Sequence, residues 1–178
     1  VTAPETRAHA PAAPLAAPAD PARLAVRVAA LDELDARTAY AVWRLRQDVF
    51  VVEQDCPYPD LDGRDLEPGT RHVLLLTPAG DVVATARVLD DGDCWRVGRV
   101  VCHPAVRGTG ASHRLMTAVL DAVGTGTGTG TGTGDDGRDV VLDAQSPLTG
   151  FYGRFGFVPD GAEFLEDGIP HTPMRLRR

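Results

Sequence analysis

Between Val97 and Ser112 the chain reads Val-Gly-Arg-Val-Val-Cys-His-Pro-Ala-Val-Arg-Gly-Thr-Gly-Ala-Ser, a short apolar strand, a glycine turn and the start of a helix. Few segments constrain a fold as much, because strand, turn and helix are joined with almost no slack. Gly108 and Gly110 let the backbone approach a ligand closely. The helix from about Ala111 then points its free N–H groups and positive dipole end at whatever sits there. Arg107 adds a charge at the lip. Such a layout is a phosphate cradle, although Arg-Gly-x-Gly taken alone also serves simply to turn a chain.

Three phosphate-binding patterns can be laid on these residues. A dinucleotide fingerprint G-x-G-x-x-G begun at Gly108 requires a third glycine at 113, where His113 stands. It also requires an acidic residue about twenty positions on, where this chain is a Thr-Gly repeat. That disfavours a dinucleotide-dependent oxidoreductase. A triphosphate P-loop requires Gly-Lys-Ser/Thr, and the chain contains no lysine. The acyl-CoA pattern R/Q-x-x-G-x-G/A is met at Arg107 and Gly110, with Ser112 where Gly or Ala is usual.

Composition narrows the partners. With 178 residues and 43% hydrophobic content, the chain can bury one real core. A net charge of -7 argues against nucleic acid and anionic membrane as partners, because the long-range field repels phosphate. Cys56, Cys94 and Cys102 are odd in number and lack C-x-x-C spacing, so neither a disulfide framework nor a zinc set is expected. A reducing cytoplasm suits them. Asp60 and Asp62, followed by Gly63, miss the calcium-loop register, since Arg71 stands where its Glu belongs; no metal is expected. Residues 1–22 are Ala- and Pro-rich without the apolar core of a signal peptide, and no run approaches membrane-spanning length. They are expected to form a disordered arm, followed by one domain over 23–178.

Along that domain, alternation predicts a strand over Arg23 to Ala29. A helix capped by Asp32 or Asp35 follows, with Ala39, Val42, Leu45 and Val49 at helical spacing, ending near Val51. Glu53 to Gly69 is a long loop with six carboxylates, read as a solvated acidic loop or as a wall attracting a cationic amine. His72 to Thr77 and Val82 to Leu89 form a hairpin around Pro78-Ala79-Gly80-Asp81, and Cys94 to Cys102 is the next strand. The helix after the Gly turn carries the stripe Leu115, Met116, Val119, Leu120 and Val123. Alternating Gly and Thr from 124 to 134 predicts a mobile insertion over 124–137. Val140 to Ala144 completes a parallel crossover, Ser146-Pro147 opens another helix, and Thr172 to Leu176 is the last strand.

A strand and Arg-x-x-Gly helix, followed by a second strand, a short helix and Phe151-Tyr152-Gly153-Arg154-Phe155-Gly156-Phe157, resembles the GNAT superfamily of acetyl-CoA-dependent N-acyltransferases. Leu45 to Tyr58, Asp60-Leu61-Asp62-Gly63-Arg64-Asp65, Arg71-His72, Gly98-Arg99-Val100 and Glu166-Asp167-Gly168-Ile169-Pro170-His171 are similar to its ElaA-like branch. The resemblance covers about Arg23 to Arg178. It implies an α/β (α+β) three-layer fold, a mixed, mostly antiparallel sheet of about six to seven strands with helices on both faces. The fourth and fifth strands splay apart, and the gap holds acetyl-CoA.

The same resemblance assigns roles. The CoA diphosphate would take the N–H groups of Arg107, Gly108, Thr109, Gly110, Ala111, Ser112 and His113, and the pantetheine arm would pair with Val100, Val101 and Cys102. Gly150 stands where many members carry an Asn that contacts this arm. Acetyl transfer to an amine requires a neutral nucleophile, a stabilised oxyanion and a proton for the departing thiolate. Tyr152 is the candidate acid, a phenol of reference pKa about 10 facing a thiol of about 8.5. A backbone N–H near Val101 is the candidate oxyanion donor. Glu53, His72, His103 and His171 remain open as bases, and a water chain could substitute for any of them. Arg99, beside Arg87, and Glu53 are candidates for acceptor binding. Cys102 has no base at close spacing, so direct transfer in a ternary complex is expected over an acyl-enzyme. The acceptor would be a small-molecule or peptide amine, and a homodimer is left open. The alternative is an acyl-CoA-binding regulatory module without significant catalysis.

Overall fold

The computed structural model describes residues 20–124 and 137–178. The expected arm over 1–22 and insertion over 124–137 therefore lie outside the described residues, apart from their edges. At the first edge Asp20 caps a 3-10 turn over Pro21–Arg23, its Oδ1 accepting from Ala22 N at 3.0 Å.

Strand β1 (Ala25–Ala29) leads to α1 (Ala36–Arg46). Asp35 starts that helix: its carboxylate accepts from Thr38 N at 3.0 Å and from Thr38 Oγ1 at 2.7 Å. The helix was expected to run to Val51. It changes at Arg46 into a π-helical turn over Gln47–Glu53, closed by Gln54 N donating to Val49 O at 3.0 Å. The wider turn rotates the residues beyond Arg46 relative to the α-helical stripe. β2 (Arg71–Leu76), β3 (Val82–Asp90) and β4 (Cys94–Cys102) then form an antiparallel meander.

After α2 (Ala111–Ala122) come β5 (Asp139–Gln145), a 3-10 turn over Ser146–Leu148, α3 (Thr149–Gly153), β6 (Val158–Pro159), β7 (Phe164–Glu166) and β8 (Ile169–Leu176). The described residues form one eight-stranded sheet in the order β1-β2-β3-β4-β5-β8-β6, with β7 pairing on β8. Every pair is antiparallel except β4–β5.

Both faces of the sheet are covered. On one, Val73, Leu75, Val83 and Val88 pack with Leu115, Met116 and Val119 of α2. On the other, Leu74, Val82 and Val101 pack with Ala39, Val42 and Leu45 of α1. Burial on both sides explains why β3 is inaccessible from Val82 to Leu89 and is apolar there apart from Thr85 and Arg87.

The last strand begins three residues before the expected Thr172 and is preceded by β7, which the sequence reading omitted. Asp167 (φ 50°) and Gly168 (φ 82°) make the left-handed turn of this hairpin. Asp-Gly is a strong hairpin signal, and Pro170 and Pro173 both lie within the strand that follows it. The fold tolerates them because each lacks only the N–H, and the remaining ladder positions hold β8 to its neighbours.

Candidate active site

The site is built where β4 and β5 part. They are paired in parallel from Cys94↔Asp139 to Arg96↔Val141 and no further. The separation has a visible cause on the other side of β4. Between the pairs Thr85↔Val101 and Arg87↔Gly98 the β3–β4 register shifts, leaving an extra residue in β4, and Arg99 there takes φ 52°. A bulge of this kind bends and twists its strand.

Beyond the bulge the open edge of β4 can be read from one bond. His103 N donates to Val83 O at 2.8 Å, and hydrogen-bonding direction alternates along an antiparallel ladder. Val101 therefore turns its polar groups toward Thr85, while the N–H groups of Val100 and Cys102 face the gap. The N–H nearest Val101 on the open edge is that of Val100. Val101 itself is buried against α1.

At the end of β4 the Gly turn has the expected form. Gly108 (φ 75°) and Gly110 (φ 98°) are both left-handed, and a Cβ added at either meets no atom within 4 Å. Among the described residues, the N–H groups of Gly108 through His113 donate to no backbone carbonyl, and the first helical bond is Arg114 N to Gly110 O at 3.1 Å. That is an arc of free donors at the positive end of α2.

Arg107 departs from expectation. Its N–H donates to Pro104 O at 3.2 Å, and its guanidinium forks onto Glu53 at 2.6 and 2.9 Å. It therefore brings neither a free N–H nor an unbalanced charge to the lip. Thr109 Oγ1 donates to Val106 O at 2.7 Å, bracing the turn. His113 packs on Phe155 with ring centroids 4.9 Å apart, joining α2 to the segment after α3. Ser112 and Ala111 occupy the first turn of α2. Gly150, on α3, leaves open space where a side chain would stand.

Tyr152 is 7% exposed and reaches a cleft of about 360 Å³ that it shares with Phe50, Tyr58, Gly98, Val100 and His171. Phe151 and Phe157 hold its ring edge-on, at 5.1 and 6.2 Å. Burial, with a smaller effect from Cys102, pushes its phenol up to about 12. Among the described residues no group hydrogen-bonds its hydroxyl. Cys102 is pushed up to about 11, again by burial, so its thiol is protonated at neutral pH and is no nucleophile.

The acidic loop was read mainly as solvated, and the structure corrects this for half of its carboxylates. Arg46, 1% exposed, donates through Nε to Asp60 Oδ2 at 2.8 Å and through Nη1 to Asp65 Oδ1 at 2.7 Å. Arg87 grips both oxygens of Asp62 at 2.7 Å. Arg99 approaches Asp60 Oδ1 at 2.8 Å and Asp62 Oδ2 at 3.2 Å, and its guanidinium lies 5.1 Å from the Tyr58 ring centroid. Three arginines thus neutralise three aspartates. The loop is neither a cationic-amine wall nor a free acidic surface at these positions. Arg99 lines the cleft, but its charge is balanced within the protein. Glu53 sits at the Gly turn, and the Arg107 hydrogen bond holds its carboxyl below the usual range.

Two contacts missed in the sequence close the cleft from above. Cys56 Sγ donates to Asp167 O at 3.8 Å, tying the loop to the β7–β8 turn, and Gln145 Nε2 donates to Gln54 Oε1 at 3.2 Å. Each joins segments about ninety or more residues apart, which no local pattern reveals.

This geometry can be set beside known proteins. A family model described as an acetyltransferase (GNAT) domain matches residues 61–178. UPF0039 protein Rv2851c of Mycobacterium tuberculosis is 47% identical over 146 residues, 80% of this chain and 86% of that protein. Protein ElaA of Escherichia coli is 41% identical over 145 residues, 80% of this chain and 89% of its own length. The crystal structure of an acyl-CoA N-acyltransferase from Pseudomonas aeruginosa has a TM-score of 0.76 at 38% identity, covering 85% of this chain and 98% of that one. The sheet parted between β4 and β5, the free donor arc at α2 and these likenesses agree: the chain belongs to the GNAT acetyltransferase family and is ElaA-like within it.

Proposed function

We propose that this protein transfers an acetyl group from acetyl-CoA to a primary amine, directly, with both substrates bound together. The observation that carries the proposal is the partnerless hydroxyl of Tyr152 in the cleft where β4 and β5 separate. Its ring is buried, yet the hydroxyl oxygen itself is not sealed from solvent and opens on the cleft, where a bound group can accept from it.

The residues present fit an acyl-CoA. The N–H groups of Gly108, Thr109, Gly110, Ala111, Ser112 and His113 would receive the diphosphate, with nothing within 4 Å of an added Cβ at either glycine. Serine at 112 contributes its backbone N–H like any residue, so its departure from the pattern leaves the arc whole. Val100 and Cys102 would pair with the pantetheine arm. When bound, acetyl-CoA supplies an activated thioester carbonyl and a leaving thiolate.

The chain then acts on two centres. Val100 N–H, at the open edge of β4, donates to the carbonyl oxygen as charge builds there. Tyr152 donates its proton to the departing sulfur. At a pKa of about 12 it lies well above a solvated thiol of about 8.5, which would make that transfer uphill. The Cys102 thiol near Tyr152 is itself raised by burial, and a departing sulfur desolvated at the site would be raised in the same direction, which narrows the gap. Cys102, protonated, leaves the acetyl group to pass straight to the amine.

The test is thiol release from acetyl-CoA across a panel of amines, with Tyr152→Phe as the control. We expect the wild type to release CoA only with a suitable amine. We expect Tyr152→Phe to lower kcat by roughly 10²-fold while the Kd for acetyl-CoA changes little. Unchanged turnover would remove Tyr152 from the chemistry. Thermal stabilisation by acetyl-CoA without thiol release from any amine would favour a binding module instead.

A further inference from the structure

An amine acceptor reaches the site carrying a proton, since a lysine-like amine has a pKa of about 10.4, and it must lose that proton before it can attack. The structure separates the four residues that qualified as bases. Glu53 is clamped by Arg107, and that hydrogen bond makes its carboxylate a weaker base than usual. His72 is 0% exposed within the arginine–aspartate network, 3.8 Å from Asp65 Oδ1, and does not line the cleft. His103 accepts from Ala105 N through Nδ1 at 3.1 Å, which spends its lone pair on capping a turn.

His171 differs from all three. We propose that His171 is the catalytic base that takes the proton from the acceptor amine, an assignment that rests on the acetyltransferase reading above. Its ring lines the same cleft as Tyr152 and Val100. Nδ1 lies 2.9 Å from Ile169 O. A carbonyl oxygen only accepts, so Nδ1 carries the hydrogen and Nε2 keeps the lone pair. The ring is half-buried and stacks on Phe164 with centroids 5.9 Å apart and planes 30° from parallel. Its backbone is held on both sides, paired with Gln145 of β5 and with Phe164 of β7. A cleft-lining histidine with a fixed tautomer, a braced ring and a lone pair left on Nε2 has the features a base requires.

The proton balance closes. One ammonium proton passes to Nε2 of His171 and on to solvent, and the freed nitrogen pair forms the C–N bond. The C–S bond breaks, and sulfur takes its proton from Tyr152. The second nitrogen proton leaves to water, which returns one proton to Tyr152. The sum is one amide, one thiol and one proton released.

The charged and titratable groups that share the cleft with His171 are Asp143 on β5, Glu166 on β7, Asp167 in the hairpin turn, Tyr152 on α3, Cys56, Tyr58 and Asp62 in the long loop, and Arg64, Arg87, Arg96 and Arg99. Arg96 is paired to Asp143 at 3.2 Å, and Arg64, Arg87 and Arg99 are likewise paired to carboxylates.

The experiment follows CoA release by the full chain against pH, for the wild type, His171→Gln and His171→Ala, using an amine from the panel above. We expect kcat/KM at neutral pH to fall roughly 10²-fold in both variants, the Kd for acetyl-CoA measured by calorimetry to stay within about twofold, and the wild type's decline toward acid to disappear. Added imidazole should restore part of the rate of His171→Ala. If His171→Ala does not fold, His171→Gln carries the test through its rate and pH profile, because its amide can still donate to Ile169 O. A variant with the wild-type rate and pH profile overturns the proposal. So does a slowed variant that keeps the acid limb and ignores imidazole, which would make His171 structural. A wild type that releases no CoA with any amine overturns the acetyltransferase reading and the base assignment with it.

Discussion

Gly110 shows how much can rest on one missing side chain. Its φ of 98° and ψ of -2° at the N-cap of α2 aim the following N–H groups outward. Any other residue there meets left-handed strain of roughly 1–2 kcal/mol. Because an added Cβ touches no protein atom, that strain is the whole cost to the fold. We therefore predict that Gly110→Ala lowers stability by only about that amount, while its methyl group intrudes where the diphosphate would lie. Calorimetry should show at least tenfold weaker binding of CoA, against a modest change in unfolding free energy by urea titration. Equal weakening of CoA binding by Gly80→Ala, a φ 90° turn glycine in the β2–β3 hairpin, would make the effect nonspecific.

At the scale of an element, the informative part is the loop from Gln54 to Thr70. Its shape comes from side chains: Arg46, at the junction of α1 and the π-helical turn, reaches Asp60 and Asp65, and Arg87 and Arg99 reach Asp62. Removing one partner of a buried charge pair leaves the other uncompensated, which costs about 3–5 kcal/mol. Arg46→Met should therefore destabilise the protein by that order and loosen the loop that roofs the cleft. Lysine cannot reproduce the forked contact, so Arg46→Lys should recover only part of it. Chemical denaturation gives the stability, and amide hydrogen exchange over 54–70 shows whether the loop opens before the sheet. Protection equal to wild type in that segment would mean that the network does not hold the loop. The network also explains why Arg99 persists at φ 52°: its contacts with Asp60, Asp62 and Tyr58 offset the strained backbone that makes the β4 bulge.

For the molecule as a whole, buried titratable groups set the pH range of stability. Burial holds His72 below its ordinary pKa, and among the described residues neither ring nitrogen has a hydrogen-bond partner. The unfolded chain therefore binds a proton there that the native chain refuses. Stability falls as pH drops below about 6.5, by at most about 1.4 kcal/mol per pH unit. Asp62 and Asp65 are held below the carboxylate range, Asp62 by Arg87 and Asp65 by Arg46 against the opposing effect of its burial. Their contribution is present above about pH 3.9 and is lost below it. On the alkaline side, Cys102 is raised by burial, so its contribution is complete below about pH 8.5 and drains away toward pH 11. We expect a plateau of maximal stability between about pH 6.5 and 8.5 in urea titrations. His72→Leu should flatten the first acid step and leave the carboxylate step in place. An acid flank unchanged in that variant would place its origin elsewhere.

Much of this was legible in the residues, and the boundary has a physical basis. Strand β4, the Gly turn, α2 and the parallel return at β5 follow from local chemistry: apolar runs, glycines at left-handed positions and a helical stripe at 3.6-residue spacing. The family likeness drew on the same local signals, and the GNAT match over 61–178 agrees with it. Three things depended on tertiary structure. The β4 bulge turned Val100 rather than Val101 toward the gap, because register is settled by the partner strand β3. The loop acids became neutral partners of Arg46, Arg87 and Arg99, because charge pairing depends on distances between segments remote in sequence. And the four rival bases were sorted only by burial and hydrogen bonding, since a histidine's usable lone pair depends on what its other nitrogen meets. Periodicity and turn chemistry are written residue by residue along the chain. Register, ion pairing and tautomer are not, because each is settled by a partner that only the fold brings near.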